Sequence, residues 1–392
     1  MVNIINYFYH LMMGRILGPS EYGVLASLYS ILYITSIVPV STSVSIVKFI
    51  SGARDARERG AIYVAVKRMT GKVALGLALV IAITSPAISQ FLNIPTFWEV
   101  ALVAPVVFFS LITLVNQSTL QGVLKFTGVV APNFVAFVAK LIFGIGLVYL
   151  GYSVLGAMWG VVIGAILAYL LSIVQIRGVV EVRKENFDLK PFFKYSLPVL
   201  LQALAFTSFF TTDLILVKHF FSPFDAGLYA ALSTLGKIIF FASSPITSVM
   251  FPIVAGRVAR GERYFRIFAL SILLTGAIAG AIAVLYFLLP NYAIGILYGQ
   301  EYLAASPLLV WMGVFISLYV LAYLLTNFFL SIGKTWVSYL AVAAAAIQIV
   351  AIWLYHANLL IVIQISLSVV AALLLILLAI LGYNQRYAKE SR

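Results

Sequence analysis

Five ionisable side chains sit in stretches of sequence that are otherwise almost wholly apolar: Arg15, Lys48, Lys140, Asp213 and Lys237. Placing such a residue in hydrocarbon costs about 2.5–3.5 kcal/mol, so each is expected to face a wet cavity or a partner unless it can reach the membrane surface. Lys140 and Lys237 lie near the middle of their runs, too deep for easy snorkelling. We read them as cavity-lining cations; the competing reading is a lysine held by an ion pair or by backbone carbonyls. Asp213 lies one turn from the outer end of its run. It either pairs with Lys237 or holds a coupling cation, H+ or Na+, and the sequence leaves both open. Arg15 closes the outer end of the first run, where it either lines the cavity or rests at the interface. Lys48 closes the inner end of the second, from which its stem can reach the surface. The net charge of the five is +3 at neutral pH. That sign suits an anionic group such as a phosphate or pyrophosphate and suits a cationic drug poorly.

Other chemistry finds little support. The chain has no cysteine, which removes disulfides, thiolate nucleophiles and Cys-based metal sites. His10, His219 and His356 lie far apart and match no ligand spacing, so packed or interfacial histidines are expected and no metal site is. Asn116, Gln117, Ser118, Gln202, Asn327, Gln348 and Gln364 are polar residues within apolar runs. They are expected to join helices to one another, with hydrogen bonds to sugar hydroxyls as the alternative.

The elements that hold these residues follow from composition. Of 392 residues 63% are hydrophobic and 9% charged, against about 25% charged in soluble domains. Apolar runs of membrane-spanning length recur along the whole chain. Backbone in lipid must satisfy itself, which leaves helices or closed barrels. Barrel strands alternate apolar and polar residues, whereas Val73–Ile83 and Leu359–Ile380 are solid, so the class is all-α and polytopic. We place about 12 transmembrane helices at 2–14, 23–48, 70–91, 99–121, 128–150, 153–176, 195–217, 227–252, 266–289, 305–331, 335–355 and 358–382.

Loops after even-numbered spans carry the positive charge: Arg54, Arg57, Arg59, Lys67, Arg68 and Lys72, then Lys125, then Arg177, Arg183, Lys184, Lys190 and Lys194, then Arg257, Arg260, Arg263 and Arg266, then Lys334, and last Arg386, Lys389 and Arg392. The opposite loops hold Lys218 and acids, Glu21, Glu99, Asp225 and Glu301. The positive-inside rule then puts both termini in the cytoplasm of a cell carrying this protein in its plasma membrane, and it explains the net charge of +13 without nucleic acid. The first span is short, about 20 Å of helix against about 30 Å of hydrocarbon. Either this helix is short or the natural chain starts upstream of Met1, the reading we favour; the first residues of the sequence lack the basic region and cleavage site of a signal peptide.

The chain also repeats. GPSEYGVLASL at 18–28 aligns with SPFDAGLYAAL at 222–232: Pro19 meets Pro223, Glu21 meets Asp225 and Gly23 meets Gly227, and at the same offset ISG at 50–52 meets VAG at 254–256. Each repeat holds six spans, an even number, so two six-helix lobes are expected to be related by a pseudo-two-fold axis along the membrane normal. The division is 1–176 for the first lobe, 177–194 for a cytoplasmic linker, 195–382 for the second lobe and 383–392 for a cytoplasmic tail. Two such lobes with short loops describe an alternating-access transporter with substrate between them, and no loop is large enough for a catalytic domain.

GRILGPSEYG at 14–23 closely resembles the first-external-loop signature of polysaccharide and oligosaccharide flippases, the Wzx-type members of the multidrug/oligosaccharidyl-lipid/polysaccharide exporter superfamily. YSLPVLL at 195–201, TTDLILVKHF at 211–220, MFPIVAGR at 250–257, ILYGQEYLAASPLL at 296–309 and NFFLSIGKTW at 327–336 resemble further stretches of the same family, in the same order. The resemblance implies a V of two six-helix lobes. It implies transfer of a sugar chain on a polyprenyl phosphate or pyrophosphate carrier from the cytoplasmic to the external leaflet. It also implies a cavity lined by basic residues, with Arg15 matching the signature arginine and Asp213 the aspartate of the seventh span. Lys140 and Lys237 rest on their depth alone. A monomer among membrane lipids is expected, with a glycan polymerase or glycosyltransferase as partner and no resident cofactor.

The alternative is a cation-coupled multidrug or small-molecule antiporter of the same superfamily, which needs acids in its cavity; only Asp213 qualifies. A peptidoglycan-precursor flippase usually carries fourteen spans. A membrane glycosyltransferase needs acidic metal sites or large external loops, and a scaffold has no use for lysines in mid-membrane.

Overall fold

The computed structural model describes residues 2–53, 55–179 and 190–390. Arg54, Arg183, Lys184 and Arg392, counted above among the basic loop residues, lie outside the described residues, as do positions 180–189 of the linker. Among the described residues every regular element is helical. The chain divides into two compact units, Met1–Ala203 and Leu204–Arg392.

In the first unit, α1 (Val2–Thr35) runs through a kink at Gly18, whose φ of 71° belongs to glycine. Pro19 follows, where a missing N–H costs a new helical segment nothing. Residues 15–22, expected as an external loop, are therefore a bent helix. The second expected span is divided at Ser36 between α1 and α2 (Ile37–Ser51). α3 (Ala56–Phe91) begins well before residue 70, because Asp55 caps it by accepting from the Glu58 amide at 2.7 Å. Arg57, Arg59, Lys67 and Arg68, assigned above to a loop, thus ride on a helix. α4 (Phe97–Ala101) precedes α5 (Val103–Gly122), which packs on α2 and α3 and forms the centre of the unit.

The next stretch, Thr127–Ile176, folds back on itself. α6 (Thr127–Ala139) passes into a π-helical segment, Lys140–Gly144, then the short α7 (Ile145–Leu147) and a second π-segment, Val148–Tyr152. Gly151 (φ 90°) and Ser153 (φ 44°) turn the chain into α8 (Ser153–Ile176). Along α8, Gly156 faces Leu147, Gly160 faces Gly144 and Gly164 faces Ala136, so the two arms are antiparallel. A Cβ at Gly164 would stand 2.5 Å from the Ala136 carbonyl oxygen, and one at Gly160 would overlap the Gly144 backbone. Small residues at four-residue spacing let these backbones touch.

In the second unit, α9 (Lys190–Phe209), which carries the boundary between the units, is bent by 40° from α10 (Thr212–Phe220). α11 (Pro223–Ala259) opens on a cap: the Ser222 hydroxyl accepts from the Asp225 amide and donates to its carboxylate at 2.7 Å. A proline opening a helix with an acid in its first turn repeats what Pro19 and Glu21 do in α1; Glu21 accepts from the Ser153 hydroxyl at 2.7 Å. α12 (Phe265–Leu288), α13 (Pro290–Leu297), a 3-10 turn Gln300–Ala305, α14 (Ser306–Ser331), α15 (Val337–Leu354) and α16 (Leu359–Glu390) complete the unit. α14 lies at its centre, against α11, α12 and α16.

Eight helical stretches among the described residues are long and apolar enough to cross a membrane, or nine if the bent pair α9–α10 is one span. One of the eight is the Thr127–Ile176 hairpin, which itself contains two antiparallel arms. Leu79, Val80 and Ile83 of α3 and Leu273, Val284 and Leu285 of α12 are exposed, an apolar surface that belongs in lipid. The chain is a multi-pass, all-helical membrane protein.

Candidate functional site

Lys140 opens the first π-segment, an irregularity that shifts side chains out of α-helical register and is frequent at functional sites. Its side chain is buried, and Nζ stands 4.2 Å from the ring centre of Tyr9, 5.1 Å from Phe137 and 5.5 Å from Tyr29. All three are within cation–π range, which compensates part of the desolvation of the ammonium. The Tyr9 hydroxyl donates to the Ala157 carbonyl at 3.3 Å and so ties α1 to α8. His10 packs edge-on against Tyr29 at 4.5 Å and completes the aromatic wall.

A cavity of 410 Å³ opens on this lysine, bordered by Tyr29, Ser110, Thr113, Gln117, Asn133 and Phe137 among others. Gln117 Nε2 donates to Asn133 Oδ1 at 3.0 Å, which orients both amides toward the same space. A second hollow of 280 Å³ shares Tyr29, Ser36, Val106 and Ser110 with it. Neither lining contains a carboxylate. The combined chemistry is a cation for an anionic group, amides and hydroxyls for polar hydrogens, and flat rings for apolar faces.

Asp213, in the first turn of α10, is almost wholly buried. Its Oδ1 accepts from the Leu214 amide and its Oδ2 from the Tyr229 hydroxyl, each at 2.7 Å. This latch joins α10 to α11 and was invisible in the sequence. Lys237 of α11 is also buried, with Nζ 5.3 Å from the Phe210 ring centre, and interacts electrostatically with Asp213. Phe210 stands in the break between α9 and α10 and packs on Phe240 and Tyr319. Asp213 is thus hydrogen-bonded by a tyrosine and a backbone amide, with Lys237 as a longer-range electrostatic partner.

Arg15 and Lys48 are exposed, and Arg15 does not border the Lys140 cavity. Lys218, read above as a loop residue, is 1% exposed. It lies on α10, where Leu214, Val217 and Lys218 share the i, i+3, i+4 face that buries the helix. Three of the seven polar span residues tie helices together away from the cavity. Asn116 bridges Tyr63 and Ser172, Ser118 meets Ser43, and Gln348 donates to Ser366 and to the Phe209 carbonyl. Gln117 is the one that reaches the cavity. Among the described residues, no group of three or more His, Asp or Glu could hold a metal ion.

The first unit thus places a buried cation beside an open, mainly apolar cavity with a few polar groups, in a multi-pass helical chain. The family model for polysaccharide biosynthesis proteins matches residues 12–307. The chain belongs to the polysaccharide biosynthesis protein family. In fold it is similar to the inward-facing conformation of a multidrug resistance MATE family transporter of the MOP superfamily, with a TM-score of 0.82 at 12% identity over 98% of this chain and 96% of that one. It is similar also to the lipid II flippase MurJ in an inward closed conformation, with a TM-score of 0.76 at 14% identity over 97% and 86%. An outward-facing MATE family transporter gives 0.64 at 16% identity over 100% and 93%. No match was found among curated proteins. The family places the chain in polysaccharide biosynthesis, and the likeness to these transport proteins shows that it shares their fold.

Proposed function

We propose that the protein moves a lipid-linked oligosaccharide, carried on a polyprenyl phosphate or pyrophosphate, from the cytoplasmic to the external leaflet of the plasma membrane by alternating access. Twelve spans in two six-helix lobes, with both termini cytoplasmic, is the topology that the loop charges and the internal repeat support. The observation that carries the reading is the Lys140 cavity: a buried ammonium among rings, amides and hydroxyls, with no carboxylate in the lining. A phosphate there would gain charge-assisted hydrogen bonds in surroundings of low dielectric. Gln117, Asn133, Ser110 and Thr113 offer donors and acceptors to sugar hydroxyls. Lys237 is the second cation proposed to meet the head group, Arg15 a third nearer the exit, and Asp213 the group that repels the anion or holds a coupling cation.

The family antiporter reading needs an acid to hold a cationic drug, and the Lys140 cavity supplies a cation in its place. The test uses purified protein in proteoliposomes with two fluorescent lipids of equal chain length, one a polyprenyl pyrophosphate oligosaccharide and one a polyprenol glycoside without phosphate. Flipping of the first and not the second is expected. Equal flipping of both, or transport of a lipophilic cation alone, would refute the proposal.

A further inference from the structure

A further hollow with a basic rim lies at the other end of the first unit, away from Lys140. It has a volume of 430 Å³ and is bordered by Tyr63, Val64, Lys67 and Arg68 of α3 and by Ile173, Ile176 and Arg177 at the end of α8. One wall is apolar and the rim is basic. Tyr63 is 4% exposed and packs in a cluster with Ile46, Ile62, Val115 and Ile176. Its hydroxyl donates to Asn116 Oδ1 at 2.9 Å, and Asn116 Nδ2 donates to Ser172 Oγ at 2.9 Å. Asn116 and Ser172 are wholly buried. This chain from α3 through α5 to α8 fixes the Tyr63 oxygen, which in turn accepts from Lys67 Nζ at 2.9 Å. The Lys67 ammonium is thus held in place over the hollow, with two further donors for a ligand.

The charge is more than the fold needs. The C-terminus of α8 carries about half a negative charge, which one cation would satisfy; three converge here. Among the described residues no carboxylate pairs with Lys67, Arg68 or Arg177; Glu262 pairs with Arg257 and Arg260 in the other unit. Glu58, on the same helix, is nine residues from Lys67, about 13 Å along the axis.

We infer that this hollow binds a phosphate head group, with Lys67, Arg68 and Arg177 on its oxygens and the Val64, Ile173 and Ile176 wall against the apolar remainder of the molecule. A basic pocket between spans at the border of a charged leaflet is where an anionic phospholipid meets a helical membrane protein. The site requires neither the substrate nor the orientation proposed above, and an apolar wall beside three cations fits a lipid phosphodiester better than free phosphate.

The test is native mass spectrometry of the full-length purified protein after exchange with phosphatidylglycerol, with phosphatidylcholine or with inorganic phosphate. Wild-type protein is expected to retain one phosphatidylglycerol in preference to phosphatidylcholine. Each basic residue lost should weaken retention about fivefold, and the combined change Lys67→Gln, Arg68→Gln, Arg177→Gln about a hundredfold. Arg177→Gln alone alters one exposed residue at a helix end, so it reports on the site even where the triple change impairs folding. The control is Arg257→Gln, Arg260→Gln, Arg263→Gln in the other unit, which should retain the lipid. Retention of inorganic phosphate alone, lost in Arg177→Gln, would support the phosphate site and assign it to a free anion. Equal retention by wild type, Arg177→Gln and the triple variant would overturn it, and so would equal loss in the control. Neither result bears on whether the Lys140 cavity carries a sugar lipid.

Discussion

Gly160 is the point where the hairpin that carries Lys140 is most tightly closed. A Cβ added there would overlap the Gly144 backbone and come within 3.1 Å of the Lys140 carbonyl oxygen. Ordinary carbon contacts lie at about 3.5–4.0 Å, so Gly160→Val requires the arms to part by about 1 Å. Overpacking of this kind costs about 1–3 kcal/mol, and a 1 Å gap forfeits about half of each van der Waals well along the seam. Lys140 opens the π-segment on the facing arm, so the displacement is delivered to its backbone. The control is Gly146→Ala on the same arm, where an added Cβ meets nothing within 4 Å; there alanine should be neutral or stabilise by up to about 1 kcal/mol. The assay is thermal unfolding of purified protein followed by intrinsic fluorescence, together with flipping in proteoliposomes. Gly160→Val should unfold several degrees lower and flip more slowly than wild type, and Gly146→Ala should do neither. If Gly160→Val matches Gly146→Ala in both measurements, the close approach of the arms does not position Lys140.

Three further outcomes are expected. Tyr229→Phe removes the hydroxyl that holds Asp213 Oδ2 and should destabilise the second unit by about 1–3 kcal/mol, because a buried acceptor loses its donor; an unchanged melting temperature would show that the latch carries no load. Glu262 and Arg260 form an exposed pair in which the guanidinium holds the carboxyl below the usual glutamate range. Any stability from this lowering is present above the unfolded-state value and fades as pH falls through the folded one, but water and salt screen it. Glu262→Gln should therefore leave the melting temperature unchanged at physiological salt, and a clear drop would mean that this loop is anchored by the pair. For topology, cysteine at Pro223 or Gln300 should react with an impermeant reagent from outside, and cysteine at Arg260 only after the membrane is opened; labelling of position 260 in intact cells would break the twelve-span scheme.

Hydropathy reports which residues lie within apolar runs. Lys140 and Lys237 stood out because a lysine in an apolar run has few places to go, and both are buried. The turn between the expected spans ending at 150 and starting at 153 coincides with Gly151 and Ser153. What hydropathy lacks is direction around the helix. It could not tell that Asn116 joins three helices while its neighbour Gln117 faces a cavity, since both are polar residues in one run. It ended α3 at the charges, although Lys67 sits on that helix with its ammonium turned back onto Tyr63. Lys218 was read as a loop residue for the same reason. The π-segment at Lys140 packs against the glycine seam of α8, a relation between arms that no single stretch of sequence contains.

The claim at the centre of this account is that Lys140 contacts the phosphate of a lipid-linked sugar. Flipping of a polyprenyl pyrophosphate oligosaccharide should be measured in proteoliposomes for wild type, Lys140→Ala and Lys140→Arg at matched protein incorporation. A charge-assisted hydrogen bond contributes about 1.5–3 kcal/mol, so Lys140→Ala should flip about 10- to 150-fold more slowly. Lys140→Arg, which keeps the charge but changes its geometry, should fall between the two. Lys140→Ala flipping at the wild-type rate would contradict the account and leave Lys140 a structural residue held by its rings.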